Sequence, residues 1–95
     1  MKTVVYDKAL WHIDAGEPKD IVLRHFKFIM DWCNQNKLLS AAGYEILEFG
    51  IDESISIHSR LFNKRGNLFM TKYYDKFISA QSELSSEMDE KLKTI

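Results

Sequence analysis

The sequence predicts an α-rich α+β domain, with three to four helices around a central helix and at most a short two-stranded β element. Three observations predict it. The segment 19–36 has apolar residues around most of a helical circumference. Two later segments each begin with a residue that favours a helix N-terminus. Strand-like patterns are confined to two short stretches, 3–6 and 54–61.

Length and composition limit the protein to one modest core. The chain has 95 residues and a mass of 11.2 kDa, and a chain of this size buries roughly 65% of its surface on folding. Hydrophobic residues at 45% and charged residues at 28% are ordinary for a globular domain, which excludes a fully disordered chain, a collagen-like fibre and a disulfide scaffold. We expect a single compact helical domain over 1–81, followed by a weakly docked or mobile tail over 82–95.

Other sequence features favour a cytoplasmic protein without membrane attachment. No apolar run approaches the roughly 18 residues of a membrane helix. The stretch from Met1 to Asp7 is too short and too soon acidic for a secretory signal. Cys33 is the single cysteine and has no partner within the chain.

The first elements are a β-prone run and a turn. Thr3 to Tyr6 is the β-prone run, and Trp11-His12-Ile13 follows it. The glycine and proline between Asp14 and Pro18 indicate a turn. Pro18 also suits the first turn of a helix, where its missing N–H is no loss.

The segment 19–36 is the predicted central helix. Its polar residues fall on one narrow stripe, and the apolar arc covers more than about 200° of the circumference, roughly twice that of an ordinary surface helix. The stripe contains Asp20, Arg24, Lys27, Asp31, Asn34 and Gln35. A helix of this kind needs partners on more than one side, so it is either the centre of the domain or in part the interface of a homodimer. His25 projects into the arc, either as a structural histidine or as a functional one.

An internal repeat predicts two further helices. Residues 38–47 align with residues 61–70, and both contain two apolar residues, a capping residue, a glycine three positions later and an apolar pair. Ser40 and Asn63 can accept hydrogen bonds from the first turn of each helix. Gly43 and Gly66 allow another backbone to come close. We therefore expect two helices that dock in similar ways, the second over 64–80.

Two weaker patterns complete the predicted elements. Residues 54–61 alternate as in a short half-buried strand, which can pair with Val4 to Tyr6 or stay extended. The tail after residue 81 has four apolar anchors, at i, i+4 and i+8 spacing for the first three: Leu84, Met88, Leu92 and Ile95.

Charge is balanced overall and segregated locally. The net charge is −1, so no global field favours nucleic acid or an anionic membrane. One group of four acidic residues lies within 44–59: Glu45, Glu48, Asp52 and Glu53. One group of five basic residues lies within 60–76, where Asp75 is the single acid: Arg60, Lys64, Arg65, Lys72 and Lys76. The two groups are either ordinary solvated faces or a two-signed surface suited to a charged protein partner.

The residues that could support catalysis lack the necessary arrangement. His12, His25, His58 and Cys33 show no metal-ligand spacing, and Asp52-Glu53 lacks the pattern of a calcium loop. There is no nucleophile elbow, phosphate-binding glycine loop or dinucleotide fingerprint. Cys33 lies in an apolar stretch where burial makes a thiol inert. We expect no catalytic residue, no metal and no cofactor.

Three stretches together resemble a family of small uncharacterised bacterial domains. They are Tyr-Asp-x-Ala-x-Trp-His over 6–12, a helix with His25 and Trp32 seven apart, and Leu-Leu-Ser over 38–40. The later runs 48–58 and 72–75 are similar as well. Some families of this kind are immunity proteins that neutralise a toxin. The resemblance implies a binding role and transfers no catalytic residue.

These observations lead to one expected function and one alternative. The expected function is non-enzymatic binding of a protein, with a toxin as the specific candidate. Contact candidates from the resemblance are Trp11, His12, His25 and Trp32, and the acidic residues Glu45, Glu48, Asp52 and Glu53 suit a basic partner such as a nuclease toxin. The alternative is a winged-helix-like nucleic-acid binder that uses the basic residues of 60–76, a reading that the overall charge disfavours.

Overall fold

The computed structural model describes residues 3–77 and 85–95 and confirms the predicted α-rich α+β class. The elements follow in the order β1 (Val5–Lys8), α1 (Ala9–Asp14), α2 (Lys19–Gln35), α3 (Ala41–Phe49), β2 (Ser56–His58), a 3₁₀ turn (Ser59–Leu61), α4 (Lys64–Phe77) and α5 (Ser85–Leu92). Within the described residues no helix combines the length and the apolar character needed to cross a membrane.

The two strands form one small antiparallel sheet. Val5 pairs with His58 and Lys8 pairs with Ser56, with an irregular register between Val5 and Asp7. The predicted pairing is therefore present, but β1 begins later than the β-prone run and extends to Lys8. Strand β2 covers only part of 54–61, because the chain turns into the 3₁₀ segment at Ser59.

Helix α1 is an element that the sequence analysis did not assign. It is six residues long and ends where the chain reaches Gly16, whose φ of 100° lies in the left-handed region that glycine tolerates. The predicted turn between Asp14 and Pro18 is therefore correct. Pro18 immediately precedes α2.

Helix α2 is the centre of the domain, as the wide apolar arc predicted. Its buried residues are Val22, Phe26, Ile29, Met30, Trp32 and Cys33. The helix contacts α1 and α3 directly. The Trp32 ring lies 4.9 Å from Phe69 of α4, measured between ring centroids, and the Trp32 indole donates a 2.7 Å hydrogen bond to Asp89 of α5. The apolar arc is therefore covered on several sides within one chain.

The repeated segments dock against each other through matching contacts. Leu39 and Phe62 form an antiparallel β-bridge. The Ser40 amide donates to the Leu61 carbonyl, and the Asn63 amide donates to the Leu38 carbonyl, each at 2.9 Å. The predicted similarity in docking is a direct exchange of equivalent backbone hydrogen bonds between the two repeats.

Both predicted caps are also present. Ser40 accepts from the Gly43 amide at 3.4 Å and donates to the Arg60 carbonyl. Asn63 accepts from the Gly66 amide at 2.8 Å and donates to the Lys37 carbonyl at 2.7 Å. Each side chain thus starts its own helix and also holds the chain that leads into the other repeat.

Residues 85–95 contact the core. Met88 and Leu92 of α5 are buried, and the Tyr73 hydroxyl of α4 is hydrogen-bonded to the Thr94 side chain. The predicted end of α4 at Ala80, the boundary at 81 and 82, and the anchor Leu84 lie outside the described residues. The division into a domain and a tail stays a prediction.

Candidate functional site

The exposed face of α3 combines carboxylates with aromatic rings. Helical periodicity places its exposed residues on a single arc, and they are Ala41, Tyr44, Glu45, Glu48 and Phe49. Within the described part of the chain, neither glutamate forms an ion pair. We call Tyr44, Glu45, Glu48 and Phe49 the acidic face.

Phe49 is the least expected member of this face. Its side chain is 88% exposed, although it is large and apolar. Helix α3 ends at Phe49, and Gly50 follows with a φ of 99°, in the left-handed region that glycine tolerates. Helical periodicity puts Phe49 at the edge of the exposed arc, between Glu45 on one side and Ala42 on the other. Periodicity alone does not decide whether its side chain is buried, and in the folded chain it is exposed.

A groove between α2 and α3 adjoins the acidic face. Its volume is about 410 Å³. Its lining residues are Lys27, Asp31, Asn34, Tyr44, Leu47, Glu48, Gly50 and Ile51. Lys27 is paired with Asp31 at 2.8 Å, so the groove brings polar groups of α2 next to Tyr44 and Glu48. The arrangement offers an apolar anchor, a concave surface and negative charge in one place.

The other two predicted acidic residues have partners within the chain. Asp52 accepts hydrogen bonds from the amide and the hydroxyl of Ser54, and these bonds lower the pKa of the Asp52 carboxyl. Glu53 lies 3.3 Å from the Lys19 ammonium. Both are exposed, but they shape the loop between α3 and β2 as well as presenting charge.

The basic residues form a second exposed surface. Lys64, Arg65 and Lys72 lie on one face of α4 by helical periodicity, and Leu68 lies among them with 51% of its side chain exposed. Arg60 is exposed on the preceding 3₁₀ turn, and its Nε donates to the Thr3 hydroxyl at 2.7 Å. We call Arg60, Lys64, Arg65, Leu68 and Lys72 the basic face. The side chain of the fifth predicted residue, Lys76, lies outside the described residues.

An open groove of about 840 Å³ runs along the basic face. Its lining residues are Thr3, Ser59, Arg60, Phe62, Lys64, Asn67, Leu68 and Thr71. Asn67 holds one wall together, because it accepts from the Tyr6 hydroxyl and donates to the Ser59 carbonyl. The sequence predicted basic charge here, and it had no signal for the groove.

The four residues singled out by the resemblance do not form one surface. Trp11 is 54% exposed, with the Lys8 ammonium 5.7 Å from its ring centroid. Trp32 is 4% exposed and belongs to the core, so it offers no contact to a partner. His25 is half-buried beside Phe26, with the two ring centroids 6.1 Å apart. Of the four residues, Trp11 alone is exposed.

His12 belongs to a hydrogen-bonded cluster around a fully buried carboxylate. Asp7 is 0% exposed and accepts from the His12 Nε2 at 2.9 Å, the Tyr74 hydroxyl at 2.8 Å and the Lys8 amide at 2.8 Å. The other ring nitrogen of His12 lies 2.8 Å from Glu17. Burial lowers the pKa of His12, but the hydrogen bonds to Asp7 and Glu17 together raise it above the ordinary 6.5. Both nitrogens of His12 are therefore committed within the chain.

Burial and the contact with Asp7 raise the pKa of Tyr74. The cluster joins β1, α1 and α4. Its members lie within the runs 6–12 and 72–75 of the resemblance, but nothing in the sequence indicated that they are in contact. The side chains of Asp7, His12 and Tyr74 all form hydrogen bonds within the chain, so the cluster has the arrangement of a structural link between these elements.

The thiol of Cys33 lies in the apolar interior, as the sequence suggested. Cys33 is buried, and burial raises the pKa of its thiol to about 12, which keeps it protonated near neutral pH. Burial and the nearby Arg60 charge lower the pKa of His58. Among residues 3–77 and 85–95, no group of three or more histidine, cysteine or acidic side chains could hold a metal ion.

Comparison with known proteins adds no relative. No protein-family model, curated protein or solved structure matches the chain.

Proposed function

We propose that this chain is a non-enzymatic module that binds a basic protein through the acidic face of α3. The observation that carries the proposal is the exposure of Phe49 beside Glu45 and Glu48. Aromatic side chains that can bury a large area on binding are typical of interface hot spots. Carboxylates around such an anchor favour a positively charged partner and accelerate its association.

The specific role we propose is toxin immunity in a bacterial cytoplasm. A nuclease toxin is a suitable partner because such enzymes present basic surfaces to phosphate groups. An inhibitor of this kind needs complementarity of shape and charge and no catalytic group. Support comes from the acidic face, the adjoining groove and the resemblance carried by residues 6–12 and 25–32.

The experiment is a capture from lysate of the source organism, with nuclease treatment and at two salt concentrations. A stoichiometric basic protein that survives nuclease treatment is expected. The purified partner is then assayed for nuclease activity, which we expect the chain to inhibit at one-to-one stoichiometry. Recovery of nucleic acid alone would contradict the proposal.

Variants of α3 test whether the partner binds to the acidic face. Phe49→Ala is expected to cost at least about 2 kcal/mol of binding, or about thirtyfold in Kd. Glu45→Lys with Glu48→Lys should remove the inhibition. The matched control is Glu87→Lys with Glu90→Lys, which reverses two exposed glutamates at the same spacing on α5. A control that weakens binding as much as the α3 pair would show a general charge effect and overturn the assignment.

The nucleic-acid alternative is supported by the exposed basic face, but the order of the helices and strands does not match a familiar DNA-binding motif. The basic face is exposed, as that alternative requires. However, residues 50–63 separate α3 from α4, and this connection is far longer than the three to four residues or so of a helix-turn-helix. A winged helix also places strands after its last helix, whereas β1 and β2 both precede α4.

A further inference from the structure

The groove along the basic face is a second surface with the properties of a binding site. It lies away from the acidic face in sequence, between the chain before β1, the 3₁₀ turn and α4. Its volume of about 840 Å³ lies within the roughly 300–1,000 Å³ of ligand sites. This surface shares no residue with the acidic face, so binding at one does not require binding at the other.

The charges around the groove have one sign. Arg60 and Lys64 line it, and no acidic residue does. Arg65 and Lys72 extend the positive charge along α4. The ion pairs of the described residues involve Lys19, Lys27 and His12, so no described carboxylate pairs with the four basic side chains of this face.

The groove also has an apolar component, which a phosphate backbone would not use. Leu68 lies half-exposed among the basic residues, and Phe62 closes the groove from below with only 4% of its side chain exposed. An occupant must therefore present apolar side chains as well as negative charge.

We propose that this groove binds an acidic segment of a protein that carries aliphatic side chains between its carboxylates. Carboxylates of the segment pair with Arg60 and Lys64, and an aliphatic side chain covers Leu68. Single-stranded nucleic acid fits less well, because its bases stack on exposed aromatic rings. Phe62, the aromatic side chain that lines the groove, is buried.

The test measures fluorescence polarisation with three labelled probes. The first is a peptide of about twelve residues with pairs of glutamate separated by leucine. The second has serine in place of leucine, and the third is an oligothymidylate of similar length. We expect the leucine peptide to bind at least about tenfold more tightly than either of the others. Leu68→Ser should remove the preference for leucine over serine.

A charge variant and its control test whether the peptide binds in the groove. Arg60→Ala with Lys64→Ala should weaken binding of the leucine peptide at least about tenfold. Arg24→Ala with Lys93→Ala removes the same charge at exposed positions away from the groove and should change the affinity less than about twofold. Circular dichroism and thermal melting of each variant verify that the fold is retained.

Four outcomes would overturn the proposal. Tighter binding of the oligothymidylate would make the groove a nucleic-acid site. Equal binding of the two peptides would show that charge alone acts. Absence of peptide binding, or equal losses in the groove variant and its control, would show that the groove is not the site.

Discussion

At the scale of single residues, the clearest case is His12, which the sequence suggested as a partner contact. The structure instead commits its ring to Asp7 and Glu17. A histidine between two carboxylates donates from both nitrogens only when it is protonated. The cluster therefore links folding to pH.

The expected pH dependence follows from the raised pKa of His12. The folded protein holds the proton more tightly than the unfolded chain, so the stabilisation is complete below about pH 6.5. It is lost as the pH rises through the folded-state pKa. Replacement by a residue that does not titrate should therefore be most destabilising at low pH.

We predict that His12→Gln lowers the free energy of unfolding by about 1.5–3 kcal/mol near pH 6, the range for hydrogen bonds to charged groups. The difference from the wild type should shrink toward pH 9. Urea unfolding at a series of pH values measures it. His58→Gln is the control with the opposite sign, because the pKa of His58 is lowered and its contribution is retained at high pH. A His12 difference that is constant or grows with pH would contradict the interpretation.

At the scale of elements, the repeated helix starts depend on a close approach of backbones. A Cβ atom at Gly43 would lie 2.2 Å from the Leu61 carbonyl oxygen, and one at Gly66 would lie 2.3 Å from the Leu38 carbonyl oxygen. Such distances require the backbone to move. The two glycines are therefore needed for the contact between the repeats, although glycine weakens a helix by itself.

Alanine at these positions distinguishes the contact from helix propensity. Propensity alone predicts that Gly66→Ala stabilises the protein by about 1 kcal/mol. We instead predict a loss of about 1–3 kcal/mol, the range for overpacked sites, and the same direction for Gly43→Ala. Denaturant unfolding measures both variants. Arg65→Ala, at the exposed neighbouring position, should stay within about 0.5 kcal/mol of the wild type. A stabilised Gly66→Ala variant would show that the two repeats are not in tight contact.

At the scale of the whole molecule, the question is whether α5 belongs to the same folding unit as the core. The sequence predicted that residues 82–95 form a weakly docked or mobile tail. In the structure, Met88 is 1% exposed, and Asp89 accepts the indole hydrogen bond of Trp32 in the central helix. From these contacts we expect the stability of the core to depend on α5.

We predict that Met88→Ala destabilises the entire domain by about 2–5 kcal/mol, because it leaves a cavity at a buried site. Thermal unfolding monitored by circular dichroism and by tryptophan fluorescence should show one common transition at a lower Tm. Glu87→Ala, at an exposed position of the same helix, should leave the Tm nearly unchanged. An unchanged Tm for Met88→Ala would mean that α5 docks and undocks without affecting the core.

Features that depend on nearby residues could be predicted from the sequence. The central helix follows from the periodicity of 19–36. The starts of α3 and α4 follow from the capping side chains of Ser40 and Asn63. Each of these signals lies within a few turns of one helix, so local hydrogen bonding and the helical repeat are sufficient to produce them. The segregation of charge could also be predicted, because residues of like charge are neighbours in the sequence.

The tertiary structure alone decided which side chains meet and which stay exposed. Phe49 lies by periodicity at the boundary between the exposed and the inner side of α3, and only the packing of the whole chain leaves it exposed. Trp32 was a candidate contact, but α4 and α5 bury it. Asp7 and Tyr74 are 67 residues apart, and only the packing of α4 against β1 brings them together. Burial depends on contacts with distant parts of the chain, and no local pattern in a single sequence indicates which distant residues will meet.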